Sequence, residues 1–171
     1  MLTVSPWWRK MLLLLHVISS LGFLGAVAGF LAMAIVGMAM ADETVARGIY
    51  VGMAVVTWDV IVPLATASLL IGVVQALLTP WGLLRHYWVV IKLILTFLAY
   101  AVLLVRTGTV NEVAAAAEAG ALAQMGQGKV TLLVHSAGGL AVLLVITVLS
   151  IYKPRGLTGF GLRGEQRSGV V

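Results

Sequence analysis

The sequence predicts an all-α fold, a four-helix transmembrane bundle, and the prediction rests on composition, on long uncharged stretches and on where the basic residues fall. Of its 171 residues, 61% are hydrophobic and only 10% are charged. A soluble domain is usually about 45–50% apolar and about 25% charged. So much apolar surface cannot be hidden in one small core, and we therefore expect the surface to face lipid. A water-soluble enzyme, a disordered chain and a coiled coil are excluded.

The chain contains four apolar stretches that are long enough to cross a bilayer. A membrane helix needs about 20 mostly apolar residues. The stretches 11–41 and 130–152 are free of Asp, Glu, Lys and Arg, the stretch 48–84 carries only Asp59, and the stretch 87–105 carries only Lys92. We predict a single transmembrane domain over residues 1–154, with the following spans: 11–40, 49–78, 85–106 and 130–152. The Pro and Gly residues of the sequence Thr79-Pro80-Trp81-Gly82 predict a turn between the second and third spans.

The first span imitates a cleavable signal peptide, because Arg9 and Lys10 precede an apolar run that reaches Ala39-Met40-Ala41. The apolar region of a signal peptide usually has about 7–15 residues, and this run is about twice as long. We therefore expect a retained membrane anchor.

The basic residues predict the orientation of the bundle. Seven of them fall on one side of the predicted spans: Arg9, Lys10, Arg85, Lys153, Arg155, Arg163 and Arg167. The other side has Arg47, Arg106 and Lys129, together with acidic residues. The positive-inside rule then predicts that both termini are cytoplasmic, as expected for a bacterial inner-membrane protein.

Two segments are predicted to lie outside the bilayer. The Ala-rich stretch 110–125, between the third and fourth spans, predicts a short helix on the outer surface. The glycine-rich residues 155–171 predict a flexible cytoplasmic tail. The net charge of +5 is explained by topology and by contact with the lipid bilayer, so we expect no nucleic-acid partner.

Ionisable residues inside the spans are the candidate functional residues, because a polar group in lipid is costly, about 2.5–3.5 kcal/mol at the bilayer centre for an Asp, Lys or Arg. On the inner side the sequence places His16 and Lys92, with His86 at the boundary. One hypothesis is a haem b site in which His16 and His86 hold the iron while Arg85 and Lys92 pair with the propionates. The alternative is structural, with Lys92 extending to the interface.

Asp59 and His135 lie at similar predicted depth on the outer side. They could handle a proton, form half of a metal site, or pair only to fix the helix register. Met38 and Met40 fall on the same side, and thioether sulfur is a soft ligand for Cu(I), so Met38, Met40, Asp59 and His135 form a candidate copper site. The alternative is that the methionines are apolar filler. Cysteine is absent, which excludes thiolate ligands.

Two further signals concern packing. The pattern Gly25-x-x-x-Gly29 predicts close helix contact within the bundle, in a homo-oligomer or in a larger membrane complex. Pro63 is expected to kink the second span one turn beyond Asp59.

Helix 1, which reads Leu15-His16-Val17-Ile18-Ser19-Ser20-Leu21-Gly22-Phe23-Leu24-Gly25, resembles the first helix of the copper-resistance D family and of HemJ-type protoporphyrinogen oxidases. The segment Trp88-Val89-Val90-Ile91-Lys92-Leu93 is similar to the helix that carries a buried Lys in those families. Nearly the whole chain further resembles uncharacterised four-helix bacterial membrane proteins, through the segments His86 to Lys92 and Tyr152 to Pro154.

The oxidase resemblance implies that His16 and Lys92 belong to a haem or porphyrin site, and the copper-family resemblance implies copper handling at the outer face. The resemblance to the four-helix bacterial proteins implies no activity. Three functions are therefore expected from the sequence: an accessory or structural membrane subunit, a haem b redox protein, and a copper-binding or transport protein.

Overall fold

A computed structural model describes residues 5–78, 82–154 and 156–159, and almost all of these are helical. The helices, in chain order, are α1 (Pro6–Ala39), α2 (Glu43–Val56), a π-helical turn (Thr57–Ile61), α3 (Val62–Leu78), α4 (Tyr87–Glu118), a 3₁₀ turn (Leu122–Met125) and α5 (Gly126–Tyr152). Because α2, the π turn and α3 are continuous, they form one rod. The predicted turn residues 79–81 lie outside the described residues, as does most of the predicted tail.

The prediction of an all-α fold with four helices able to cross a membrane is confirmed. The four candidate spans have 34, 36, 32 and 31 residues and are strongly apolar. Their outward faces are apolar too, since large side chains such as Leu21, Leu70, Phe97 and Val105 are more than half exposed. Such a surface is stable in lipid and unstable in water.

The helix α4 extends farther than the third predicted span, from Tyr87 to Glu118 instead of ending at Arg106. The predicted separate helix over 110–125 is instead the continuation of α4, followed by a 3₁₀ turn. The Ala-rich sequence has high helix propensity and contains no Pro, and Val113 and Ala117 are fully buried. Gly120, with φ of +71°, follows the helix end.

Pro63 acts on the second rod through the π-helical turn just before it. Proline has no N–H group, and its ring clashes with the carbonyl four residues earlier, which here belongs to Asp59. In the π turn the Val62 N–H bonds to the Thr57 carbonyl, five residues back. The extra residue in this turn re-aims the side chains of residues 57–61, and Thr57 and Ile61 become buried while Asp59 is exposed.

The four rods pack in a ring, in the order α1, α2–α3, α4, α5. Helix α5 therefore lies diagonally across from the α2–α3 rod, and α1 lies across from α4. At one end, which we call the packed end, α1 meets α2 and α4 meets α5 through small or fully buried residues: Ala34, Gly37, Tyr50, Met53, Val113 and Ala117. Asp42 caps the start of α2 there by accepting from the Thr44 and Val45 N–H groups, at 2.8 and 3.2 Å.

The opposite end of the bundle, the basic end, carries Arg9, Lys10, Arg85 and Lys153. There, residues 156–158 of the predicted tail pack against the loop before α4. Thr158 donates its hydroxyl to the Leu84 carbonyl and its N–H to the Arg85 carbonyl at 3.0 Å.

Candidate functional site

A cavity of about 690 Å³ opens among the helices at the basic end. Ligand pockets in proteins usually measure about 300–1,000 Å³, so this volume suits a small molecule or part of a lipid. Helices α1, α3, α4 and α5 all contribute to the wall, which is mostly apolar. The ionisable residues on it are His16, Arg9, Lys10, Lys92 and Lys153.

The hydroxyl groups on the wall of this basic-end cavity are already used by the protein itself. Ser20 and Ser68 bond to each other across α1 and α3 at 2.8 Å. Thr96, Thr147 and Ser150 each donate to a carbonyl of their own helix at 2.8 Å. The polar capacity that remains for a ligand therefore lies mainly in Arg9, Lys10, Lys92, Gln75 and His16.

His16 projects from α1 toward α3, and its position depends on a missing side chain. A Cβ atom added at Gly72 would lie 2.9 Å from Cε1 of His16, so any residue larger than glycine would force the His16 ring to move. The Nδ1 atom of His16 is buried and has no hydrogen-bond partner within residues 5–78, 82–154 and 156–159. A buried polar atom without a partner is costly, so His16 would gain free energy from a ligand that reached this nitrogen.

Lys92 and Trp88 form the α4 side of the cavity. The Lys92 Nζ atom lies 5.6 Å from the centre of the Trp88 ring, within the range of a cation–π interaction. Trp88 is buried and holds this ammonium group at the wall. Among the described residues that line the cavity there is no Asp or Glu, so the charged side chains on this wall are all basic, a composition that favours anions.

The structure brings two of the three predicted haem-site residues together, His16 and Lys92. His86 precedes α4, pairs with Leu157 through an isolated β-bridge, and lies 6.4 Å from Trp88 between ring centres. It does not line the cavity in the described part of the chain. Of the predicted His16–His86 ligand pair, the described structure places His16 on the cavity wall and leaves His86 off it.

A second cavity, of about 400 Å³, lies between α4 and α5 toward the packed end. His135 lies on its wall, with Nδ1 at 2.8 Å from the Thr131 carbonyl oxygen. Because a carbonyl can only accept a hydrogen bond, Nδ1 carries the proton and Nε2 is the acceptor of the neutral ring.

Asp59 and His135 are not brought together. Asp59 is exposed on the outer surface of the π turn, whereas His135 faces the second cavity from the diagonally opposite helix. The π turn is the physical reason, since it points Thr57 and Ile61 inward. Within the described ranges Asp59 forms no hydrogen bond and no ion pair, so it neither neutralises His135 nor fixes the register with it.

The predicted copper ligands are also spread apart. Met38 and Met40 are exposed at the end of α1, while His135 lies on another helix. Gly139 of α5 lies beside Val27 of α1. Because the two helices run antiparallel, His135, four residues before Gly139, is at the level of residue 31 of α1. Met38 is seven residues beyond that level, about 10 Å along the axis. In the part of the chain that the structure describes, no three His, Asp or Glu side chains form a possible metal site.

Arg106 is a site residue that sequence reasoning missed. It was placed at the outer end of the third span, but α4 continues for twelve residues beyond it, and its side chain lines the second cavity. The signal for it in the sequence is the helical propensity of the Ala-rich residues 110–119, which contain neither Pro nor Gly.

Comparisons with protein families, with curated proteins and with solved structures found no match to this chain.

Proposed function

We propose that this membrane protein binds an amphiphilic anion in the cavity at its basic end. The observation that carries the proposal is the composition of the cavity wall, which combines apolar surface with Lys92, Lys153, Arg9 and Lys10 and has no acidic residue among its described members. An anion gains favourable electrostatic energy in such a site, because apolar surroundings strengthen the attraction between opposite charges.

An amphiphile fits better than a small inorganic anion because apolar side chains cover most of the wall. Leu69 and Val73 of α3 and Leu143 of α5 line it. Leu13 and Leu21 line it too and are more than half exposed on the outward surface, so the opening borders the lipid. A ligand with an anionic head and an apolar body could enter sideways from the bilayer. Binding without chemistry is also compatible with an accessory membrane subunit.

We infer in addition that the basic end faces the cytoplasm of a bacterial cell. The positive-inside rule supports this orientation. In the cytoplasmic leaflet the anionic lipids create a negative surface potential, so lipid ligands of the proposed charge would be abundant next to the opening.

Native mass spectrometry of the purified protein, from mixed micelles of phosphatidylglycerol and phosphatidylcholine, tests the proposal. We expect retention of phosphatidylglycerol in preference to phosphatidylcholine, and a loss of about tenfold in its affinity for Lys92→Gln, equivalent to about 1.4 kcal/mol. Lys129→Gln is the matched control, because it removes the same charge from a residue that does not line the cavity. Equal retention of the two lipids, or equal effects of the two substitutions, would contradict the proposal.

Haem b is a second candidate ligand, favoured by the buried and unpartnered Nδ1 of His16. Haem is itself an amphiphilic anion with an apolar macrocycle and propionate groups, and a proximal His is a common axial ligand. The cavity supplies one histidine and Lys92. We expect a Soret band for protein purified from haem-replete cells, lost in His16→Ala and kept in His86→Ala. A colourless wild-type protein from such cells would remove this candidate.

A further inference from the structure

The basic-end cavity and the second cavity share one pair of lining residues. Phe23 of α1 and Leu143 of α5 line the cavity at the basic end and also line the second cavity. Both side chains are buried, with 7% and 8% of their surface exposed. They therefore form an apolar partition between two chambers that follow each other along the bundle axis.

The partition lies midway between the two cavity histidines. His16 precedes Phe23 by seven residues on α1, and His135 precedes Leu143 by eight residues on α5. The two helices are antiparallel neighbours, since Gly139 lies beside Val27. The histidines are thus on opposite sides of the partition, each about 11 Å from it along the axis.

Helix α4 provides one cation to each chamber. Lys92 lines the first cavity and Arg106 lines the second. They are 14 residues apart, which corresponds to about 21 Å along the helix and only about 40° around it. One face of one helix therefore presents two positive charges in line, one on each side of the partition.

The second cavity resembles the first in how its polar groups are used. Thr57, Thr107, Thr131 and Ser136 line it, and each donates its hydroxyl to a carbonyl of its own helix. Arg106 has no ion pair or hydrogen bond within the described residues, and His135 has its Nε2 atom left. The exposed residues Leu98 and Val134 also line this cavity, so it too opens to lipid.

We propose that the two cavities are the halves of one pathway by which an anionic lipid passes between the leaflets, with Phe23 and Leu143 as the barrier. The lipid headgroup moves from Lys92 to Arg106 while its acyl chains stay in the bilayer beside the lateral openings. This inference rests on the proposed function, because the first chamber is the proposed binding site.

The test uses the full-length protein in liposomes and a fluorescent phosphatidylglycerol, with dithionite bleaching of the outer leaflet as the readout. We expect Phe23→Ala to accelerate transfer between leaflets by about tenfold over wild type, the effect of lowering a barrier by about 1.4 kcal/mol. Met33→Ala is the matched control. Met33 is on the same helix and packs against the core of buried residues, but it lines neither cavity.

Leu143→Ala gives a second route to the same opening if Phe23→Ala does not yield a monodisperse protein. Adding Arg106→Gln to whichever of these two alanine variants accelerates transfer should return the transfer rate to about that of the wild type. Adding Arg47→Gln to the same variant should leave its transfer rate unchanged. Transfer in Phe23→Ala and Leu143→Ala equal to that in Met33→Ala would overturn the pathway. Insensitivity to Arg106→Gln would overturn it as well.

The outcomes separate this inference from the proposed function. Preferential binding of phosphatidylglycerol in mixed micelles with no acceleration by either alanine variant means that the first chamber is a closed binding site. Loss of the binding preference together with unchanged transfer in every variant means that both proposals are wrong.

Discussion

The two ends of the bundle are built from the same four helices but are packed in opposite ways. At the packed end Tyr50 and Met53 are 1% and 0% exposed, and a Cβ atom added at Gly37 would lie 3.0 Å from the Tyr50 ring. At the basic end the same helices separate around a cavity of about 690 Å³. Stability is therefore concentrated at one end, and the capacity to bind a ligand at the other.

The difference has a simple chemical origin in residue size and polarity. Small residues such as Ala34, Gly37 and Ala117 let the helix backbones approach closely, which is how membrane helices associate without a hydrophobic driving force. Around the basic-end cavity, Lys92 and His16 occupy positions where apolar side chains would otherwise meet. Their charge and polarity make close packing costly, and the helices leave a space that a ligand can fill.

The largest effect is expected for Met53→Ala at the packed end. Truncating a fully buried Met usually costs about 2–5 kcal/mol, from lost transfer energy and the cavity left behind. Leu69→Ala at the basic end should cost less than half as much, because Leu69 lines a space that already exists. Reversible SDS unfolding, followed by tryptophan fluorescence, measures both. Equal losses would show that the two ends are equally important for stability.

Glycine substitutions should separate stability from binding. Gly37→Ala pushes a methyl group against the buried Tyr50 ring, and overpacking of this kind costs about 1–3 kcal/mol. Gly72→Ala places a methyl group 2.9 Å from Cε1 of His16, but the His16 ring can rotate into the cavity. We therefore expect Gly72→Ala to keep most of the stability and to lose about tenfold in phosphatidylglycerol affinity, about 1.4 kcal/mol.

Gly25→Ala is the control for both glycine substitutions. A Cβ atom there meets nothing within 4 Å, and Ala is a better helix former than Gly by about 1 kcal/mol. The variant should be as stable as wild type or slightly more stable, with unchanged binding. A destabilised Gly25→Ala would instead point to a contact with another protomer at Gly25-x-x-x-Gly29.

The helices were predictable from the sequence because the bilayer imposes a minimum length on apolar stretches. Their ends were less predictable. Because Arg106 is charged, the sequence predicts that the third span ends there. An Arg can nevertheless lie on a cavity wall within a helix if it gains an anionic partner or reaches the interface. The continuation of α4 to Glu118 depends on the propensity and burial of Val113 and Ala117.

The candidate site was only partly predictable, since a sequence does not show which helix faces meet. His16 and Lys92 could be selected because polar residues in lipid are costly, and they do share a cavity. Asp59 was selected by the same rule, yet the π turn before Pro63 places it on the outside. Phe23 and Leu143 carry no signal in the sequence, because only the relative position of two cavities distinguishes them from other apolar residues.

The smallest effect is expected for the Ser20–Ser68 hydrogen bond, which joins α1 to α3 at 2.8 Å on the wall of the basic-end cavity. Hydrogen bonds between membrane helices contribute on average only about 0.6 kcal/mol. A double-mutant cycle of Ser20→Ala and Ser68→Ala should return a coupling energy of that size.

The bond between Tyr100 and Thr66, 2.9 Å long, is a matched case on α4 and α3. There Tyr100 is the donor, because Thr66 already donates to the Val62 carbonyl. Tyr100→Phe should therefore lower the free energy of unfolding by about as little.

A Ser20–Ser68 coupling above about 2 kcal/mol would exceed the largest values known for such bonds. It would mean that polar contacts stabilise the basic end as strongly as apolar packing stabilises the packed end. The open cavity would then be a rigid site, and the contrast in stability between the two ends would be lost.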